Sequence, residues 1–197
     1  MLTERARSAS RGFVDPLARA VGRLGISPNA LTVAGTLLHV GVAWLLADGH
    51  LAAGGLALAG AAAFDGLDGA LARATGRDSR FGAFLDSTLD RVSEAIVFFG
   101  LLVHTQRAGL APEGGLVLVA LAGSLVVSYT RARAEGLGVG TTSGVFGRLE
   151  RMGVLVVGLV AGWLTGTLVL LAVGAWLTAA HRILDVARRC REAEDSA

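Results

Sequence analysis

The chain has 197 residues, of which 53% are hydrophobic, and its mean hydropathy is +0.59. Because a water-soluble domain of this length is far less apolar, the sequence predicts a protein that crosses a membrane several times. Its single cysteine, Cys190, excludes an internal disulfide and any metal site built from several cysteines. The net charge of only +2 identifies no partner, and no nucleic-acid partner is expected.

The first 26 residues are rich in arginine and lack the apolar run of a cleavable signal peptide. Asp15 and Pro16 have the pattern of a helix start, and Leu17, Val21 and Leu24 follow at helical spacing. The favoured interpretation of residues 1–26 is an amphipathic helix on the anionic membrane surface. A disordered basic tail is the alternative.

Six apolar segments follow, and each is a candidate membrane-spanning helix, since a hydrocarbon core of about 30 Å needs roughly 20 residues. They predict an all-α, polytopic membrane domain over residues 27–188, followed by a polar tail over residues 189–197. The predicted spans cover residues 30–47, 51–74, 81–104, 116–130, 152–164 and 167–183.

The arginines predict the orientation of these spans. With six spans, both termini and the second and fourth loops lie on one side of the membrane. Every arginine except Arg107 belongs to that side or to a helix end near it, and the positive-inside rule makes that side cytoplasmic. We therefore expect a multi-pass protein of the plasma membrane, with its termini and its functional site on the cytoplasmic side.

Four aspartates lie within the second and third segments, where carboxylates are costly and need a partner or a function. Asp65 and Asp68 are three residues apart and Asp86 and Asp90 are four apart, so each pair lies on one helix face. If the faces meet, the clustered carboxylates need a cation between them, and oxygen ligands favour Mg²⁺ or Mn²⁺. An ion or proton transport pathway is the alternative use of the same acids.

The two aspartate pairs are parts of one longer motif. It reads Asp-x2-Asp-Gly-x2-Ala-Arg-x8-Gly-x3-Asp-x3-Asp, and it resembles the signature of the CDP-alcohol phosphotransferases, also called CDP-alcohol phosphatidyltransferases. The resemblance implies a homodimeric six-helix enzyme that transfers the phosphatidyl group of CDP-diacylglycerol to an alcohol and releases CMP. The fixed positions of the motif are Asp65, Asp68, Gly69, Ala72, Arg73, Gly82, Asp86 and Asp90.

Roles for these residues follow from the resemblance and from their chemistry. All four aspartates are expected metal ligands, and by resemblance Asp90 is the general base that takes the acceptor proton. A pair of metal ions would neutralise phosphate charge and stabilise the leaving oxygen. Gly69 and Gly82 leave room for the nucleotide, and the planar guanidinium of Arg73 suits pyrophosphate oxygens. Taken singly, the glycines are equally consistent with helix packing and the arginine with topology.

Two further segments resemble nucleotide contacts of the family. One comprises Asn29, Ala30, Leu31 and Thr32, at the start of the first span, and the other is Ser79, in the loop before the third span. The alternative interpretation is structural, because Ser27 and Asn29 suit helix capping and a loop serine is often a turn former.

Three arginines are the candidate binding site for the phosphate of the acceptor. Residues 128–135 resemble a segment of phosphatidylinositol phosphate synthases, and residues 148–151 resemble their Glu-Arg-x-Glu-Arg element, with Gly147 in place of the first Glu. Arg131, Arg148 and Arg182 would therefore bind inositol phosphate. A purely topological role is the alternative for the arginines, and glycerol 3-phosphate is the alternative acceptor. Arg91 and Glu94 are predicted to form a local ion pair.

Overall fold

A computed structural model of the protein describes residues 27–76, 79–140 and 146–195. Within these ranges the chain forms α-helices and no β-strand. The helices are α1 (Pro28–Ala47), α2 (Leu51–Thr75), α3 (Arg80–Arg107), α4 (Ala111–Gly136), α5 (Arg148–Val160) and α6 (Leu164–Glu194). The predicted amphipathic helix over residues 1–26 lies outside the described residues.

The order of the six helices agrees with the six predicted segments, but two helices are longer than their apolar parts. α4 begins at Ala111 because Pro112 is tolerated in the first turn of a helix. α6 continues to Glu194, so most of the predicted polar tail is helical. Its charged end is supported by an ion pair of 3.1 Å between Arg189 and Asp185, four residues apart. The hydropathy of the sequence therefore marks the ends of the apolar segments, and α4 and α6 extend beyond those ends.

Four helices are long and apolar enough to cross a membrane, namely α1, α2 to Arg73, α4, and α6 to Ala193. The predicted count of six spans is thus not confirmed by length and composition. α3 has 28 residues but carries several charged side chains, and α5 has only 13 residues. An apolar outer surface accompanies the four helices, since Leu37, Trp44 and Leu177 are each 65–67% exposed.

The main contacts between the helices close a ring in the order α1, α3, α4, α6, α5, α2. Small residues allow the close approaches in it. A Cβ atom on Gly100 of α3 would lie 2.5 Å from the carbonyl oxygen of Ala43 of α1. In this ring α3 and α5 lie opposite each other. Phe98 and Leu101 of α3 belong to the same buried cluster as Leu155 and Leu159 of α5, so the apolar core fills the centre.

Candidate active site

A polar cleft of about 510 Å³ lies where the starts of α1 and α3 meet the last turns of α2. Six of the eight predicted CDP-lipid contacts line it: Asn29, Thr32, Gly69, Arg73, Ser79 and Gly82. Ala30 and Leu31 do not. Leu31 is buried against Leu67 and Leu71 of α2, and it therefore holds α1 in place beside the cleft. Arg80 also lines the cleft, and the sequence analysis missed it.

Two serines begin the helices that border the cleft. Ser27 caps α1 by accepting a hydrogen bond of 3.2 Å from the N–H of Ala30, and Pro28 occupies the first turn. Ser79 caps α3 by accepting one of 2.9 Å from the N–H of Gly82. The capping interpretation is thus confirmed for Ser27, whereas Asn29 lies inside the first turn and is not the N-cap; Ser79, interpreted as a turn former, is the N-cap of α3. Ser79 nevertheless also lines the cleft.

Both glycines of the motif make room at the cleft. A Cβ atom on Gly82 would lie 3.2 Å from the side-chain oxygen of Asn29, so the bare backbone lets α1 and α3 approach here. A Cβ atom on Gly69 would lie 3.4 Å from Nη1 of Arg73, so this guanidinium folds back along α2 over the glycine. A planar group with several donors is thereby placed on the wall of the cleft, where an anionic ligand would be bound.

A narrower space continues from the cleft between α1, α2 and α3. Asp65, Asp86 and Asp90 line it, together with Leu89 and hydroxyl side chains of α1 and α3, namely Thr32, Thr36 and Ser93. Thr32 and Asp86 line both the cleft and this space, so the two are adjoining parts of one site. Asp68 lies on α2 one turn from Asp65, and its side chain is outside the described part of the structure.

Arg148 bridges two of these aspartates. Its Nη2 atom lies 3.0 Å from Oδ2 of Asp65, and its Nη1 atom lies 2.8 Å from Oδ1 of Asp90. Asp65 and Asp90 are only 16% and 19% exposed. Among the side chains that the structure describes, no three His, Cys, Asp or Glu residues are arranged as metal ligands. Instead, the guanidinium of Arg148 lies between two carboxylates, where a metal cation could otherwise lie. The carboxylate oxygens are hard ligands of the kind that Mg²⁺ and Mn²⁺ prefer.

Two residues of α1 support the position of Asp65, and the sequence analysis missed both. Gly35 faces the carboxylate so closely that a Cβ atom there would lie 2.5 Å from Oδ1. His39 is 1% exposed; its Nδ1 atom lies 2.8 Å from the carbonyl oxygen of Gly35, and its Nε2 atom lies 3.9 Å from Oδ2 of Asp65. Their spacing of four residues within an apolar span could have indicated an inward-facing stripe.

The predicted ion pair between Arg91 and Glu94 is wrong. Arg91 lies 3.5 Å from Oδ2 of Asp90 and donates to the carbonyl oxygen of Ser87. Glu94 is instead paired with Arg151 of α5 through two hydrogen bonds of 3.0 and 3.1 Å, and both side chains are buried. Burial explains the difference, because a buried carboxylate needs a close and well-aligned cationic partner, whereas Arg91 remains partly exposed.

The three candidate acceptor arginines have different surroundings. Arg131 is exposed and pairs with Glu135 at 2.8 Å. Arg182 is buried, and its Nη1 atom donates to the carbonyl oxygen of Val127 at 2.6 Å. Val127 lies on α4 one turn before Arg131, so Arg131 and Arg182 both belong to the region where α4 packs on α6. Arg148 instead contacts Asp65 and Asp90.

These features define a class of protein: an α-helical membrane protein whose polar cleft leads to a carboxylate-lined space. The model of the CDP-alcohol phosphatidyltransferase family matches residues 25–184, and the chain belongs to this family. The prediction from the motif is thus confirmed, and the family assignment favours the enzyme over the alternative of an ion or proton transporter.

Within this family, the chain is similar to synthases of inositol phosphate lipids. The archaetidylinositol phosphate synthase of Pyrococcus horikoshii is 36% identical over 182 residues, which are 89% of this chain and 92% of that protein. A crystal structure of the phosphatidylinositol phosphate synthase of Mycobacterium tuberculosis with CDP-diacylglycerol bound is 34% identical, with a TM-score of 0.75, and the match covers 90% and 92% of the two chains. A structure of the same synthase with manganese and citrate gives a TM-score of 0.73 at 34% identity, covering 90% and 87%.

Proposed function

We propose that the protein transfers the phosphatidyl group of CDP-diacylglycerol to inositol phosphate, which releases CMP and gives phosphatidylinositol phosphate. The observation that carries this proposal is that Thr32 and Asp86 line both the polar cleft and the neighbouring aspartate-lined space. A nucleotide in the cleft would have its pyrophosphate next to the carboxylates. The archaeal and mycobacterial relatives are inositol phosphate lipid synthases, which supports inositol phosphate as the acceptor.

The cleft is the proposed site for the cytidine diphosphate part of the donor. Asn29, Thr32 and Ser79 offer polar side chains, and Arg73 offers a guanidinium for the pyrophosphate. Gly69 and Gly82 keep the walls open for a close approach of the nucleotide. The two acyl chains would remain in the membrane, against the apolar outer faces of the helices.

Asp65, Asp68, Asp86 and Asp90 are the proposed ligands of a divalent cation, Mg²⁺ or Mn²⁺, and two ions are the expected number. The stand-in position of the Arg148 guanidinium between Asp65 and Asp90 supports this proposal. When bound, such a cation would neutralise charge on the phosphate oxygens. Displacement of Arg148 from the two carboxylates would leave its guanidinium able to bind the phosphate of the acceptor, together with Arg131 and Arg182.

Asp90 is the proposed general base. In the transfer, the hydroxyl oxygen of the acceptor bonds to the lipid-side phosphorus of CDP-diacylglycerol, and the bond from this phosphorus to the oxygen of CMP breaks. The proton of the hydroxyl passes to the carboxylate of Asp90. Asp90 lies ten residues after the start of α3, which corresponds to about 15 Å along the helix. This depth supports the role of base, because Asp90 lies deeper along α3 than Asp86, the other aspartate of that helix.

We also propose the finer features of the topology. Six spans over residues 27–188 would place both termini and the site on the cytoplasmic side of the plasma membrane, with residues 1–26 on its surface. The positions of Arg131, Arg148 and Arg182 near one end of the helices support this orientation. A homodimer is the proposed assembly.

Release of CMP by the purified protein tests the proposed function. CDP-diacylglycerol and Mg²⁺ would be supplied with inositol phosphate, free inositol, glycerol 3-phosphate or serine in turn. Release with inositol phosphate alone is the expected result. Release with glycerol 3-phosphate would retain the aspartate site and refute the proposed acceptor, and no release with any acceptor would refute the proposed reaction.

A further inference from the structure

A buried ion pair links α3 to α5 one helical turn beyond Asp90. Arg151 donates from Nε and Nη2 to the two carboxylate oxygens of Glu94, at 3.0 and 3.1 Å, and both side chains are 1% exposed. Apolar residues can replace buried pairs of this kind without loss of stability, because removing charges from water is costly. Stability alone is therefore a weak explanation for this pair, and its position gives a better one.

The pair is the second of two links between the same helices. Asp90 and Glu94 are four residues apart on α3, and Arg148 and Arg151 are three apart on α5, so each pair lies on one helix face. α3 and α5 lie opposite each other in the ring, and their backbones are not main packing neighbours. Long side chains that reach across the core thus set the register of α5 relative to α3.

Arg151 also holds the chain at the start of α5. The N-cap residue, Gly147, provides no side-chain hydrogen bond to the helix. Arg151 makes a bond of a different kind here: its Nη1 atom donates to the carbonyl oxygen of Phe146 at 3.3 Å, which ties the residue before the N-cap to α5. The ring of Phe146 packs so closely on α6 that a Cβ atom on Gly174 would lie 2.8 Å from it. Arg148, the first residue of α5, takes its position from these contacts.

We propose that Glu94 is a positioning residue of the transfer reaction. Through Arg151 it fixes the start of α5 and thereby keeps Arg148 beside the aspartate-lined space, within reach of an acceptor phosphate. Both carboxylate oxygens of Glu94 are taken up by Arg151, so its effect on the reaction is exerted through Arg148. The inference rests on the proposed function, in which Arg148 contributes to binding the phosphate of the acceptor.

The double variant Glu94→Met/Arg151→Met tests this role, because it removes both charges and keeps straight side chains in the core. We expect its thermal unfolding temperature in detergent to be no lower than that of the wild type. We expect the KM for inositol phosphate to rise about tenfold or more, and the KM for CDP-diacylglycerol to change less than about twofold. Met152→Leu, at the neighbouring buried position, is the matched control and should change neither KM.

Wild-type values of both KM in the double variant would overturn the inference. So would a joint loss of stability and of affinity for both substrates, because that result indicates a purely structural pair. If the double variant does not fold, Glu94→Gln is compared with the exchanged pair Glu94→Arg/Arg151→Glu. An acceptor KM that is raised in Glu94→Gln and returns toward the wild-type value in the exchanged pair supports positioning, and a folded exchanged pair without that return refutes it.

The wild type is assayed beside the variants to separate the two proposals. If it releases no CMP with inositol phosphate, the proposed acceptor fails. The same comparison of the two KM values, made with the acceptor that does support release, then tests the positioning role of Glu94 independently.

Discussion

Gly35→Ala is a small change with a large expected effect on catalysis. The added Cβ atom would lie 2.5 Å from Oδ1 of Asp65 and 3.7 Å from the ring of Phe64. The backbone of α1 cannot retreat easily because it is packed against α2 and α3. The carboxylate of Asp65, which contacts the side chains of Arg148 and His39, must move instead.

The size of the effect follows from this distance. Real Cβ atoms essentially never approach a heavy atom within 3.0 Å, so the carboxylate must shift by at least 3.0 − 2.5 = 0.5 Å. A misplacement of about 1 Å at a catalytic site costs roughly 100-fold in rate, so a loss of about 10- to 100-fold is expected. The free energy of unfolding should fall by no more than about 2 kcal/mol, since the gain of about 1 kcal/mol from replacing a helical glycine partly offsets an overpacking cost of about 1–3 kcal/mol.

The assay compares Gly35→Ala with Gly41→Ala on the same helix, where an added Cβ atom meets nothing within 4 Å. CMP release, Mn²⁺ affinity and thermal unfolding are measured for both. We expect Gly41→Ala to keep full activity. We expect Gly35→Ala to lose both activity and Mn²⁺ affinity, while its thermal unfolding temperature falls only slightly. Wild-type activity and Mn²⁺ affinity in Gly35→Ala would refute the reasoning that Gly35 sets the position of the Asp65 carboxylate.

Three other predictions concern charged groups of the site. Asp90→Asn should lower CMP release by about 100-fold or more while CDP-diacylglycerol still binds, and full activity would exclude Asp90 as the base. Arg131→Ala should raise the KM for inositol phosphate much more than that for CDP-diacylglycerol; equal effects would contradict a selective acceptor role. Arg148→Gln should bind Mn²⁺ more tightly in the absence of substrates, because its guanidinium no longer occupies Asp65 and Asp90. An unchanged affinity, measured by titration, would refute this competition.

The parts of the site that the sequence predicted are those whose residues lie close together along the chain. Asp65, Gly69 and Arg73 follow one another by four residues, so a helix brings them to one face whatever the rest of the fold does. The same holds for Gly82, Asp86 and Asp90. Because this spacing matches the signature of the family, the motif was enough to predict the reaction class and several of the residues that line the cleft.

The parts that the sequence did not predict depend on contacts between distant segments. Glu94 has an arginine three residues away, and local spacing therefore favoured Arg91 as its partner. The actual partner, Arg151, is 57 residues away and becomes available only because the ring places α5 opposite α3. Gly35 and His39 were missed for the same reason, since their importance arises from Asp65, on another helix.

The charged side chains of α3 lower its hydropathy and also link it to α5, on the opposite side of the ring. A membrane-spanning helix with uncompensated carboxylates would be too costly, and α3 is accordingly absent from the helices that length and composition select. Its carboxylates are compensated from across the ring, where Arg148 meets Asp90 and Arg151 meets Glu94. The charges that make α3 a poor membrane span by composition therefore include the carboxylates of Asp86 and Asp90, which line the space between α1, α2 and α3.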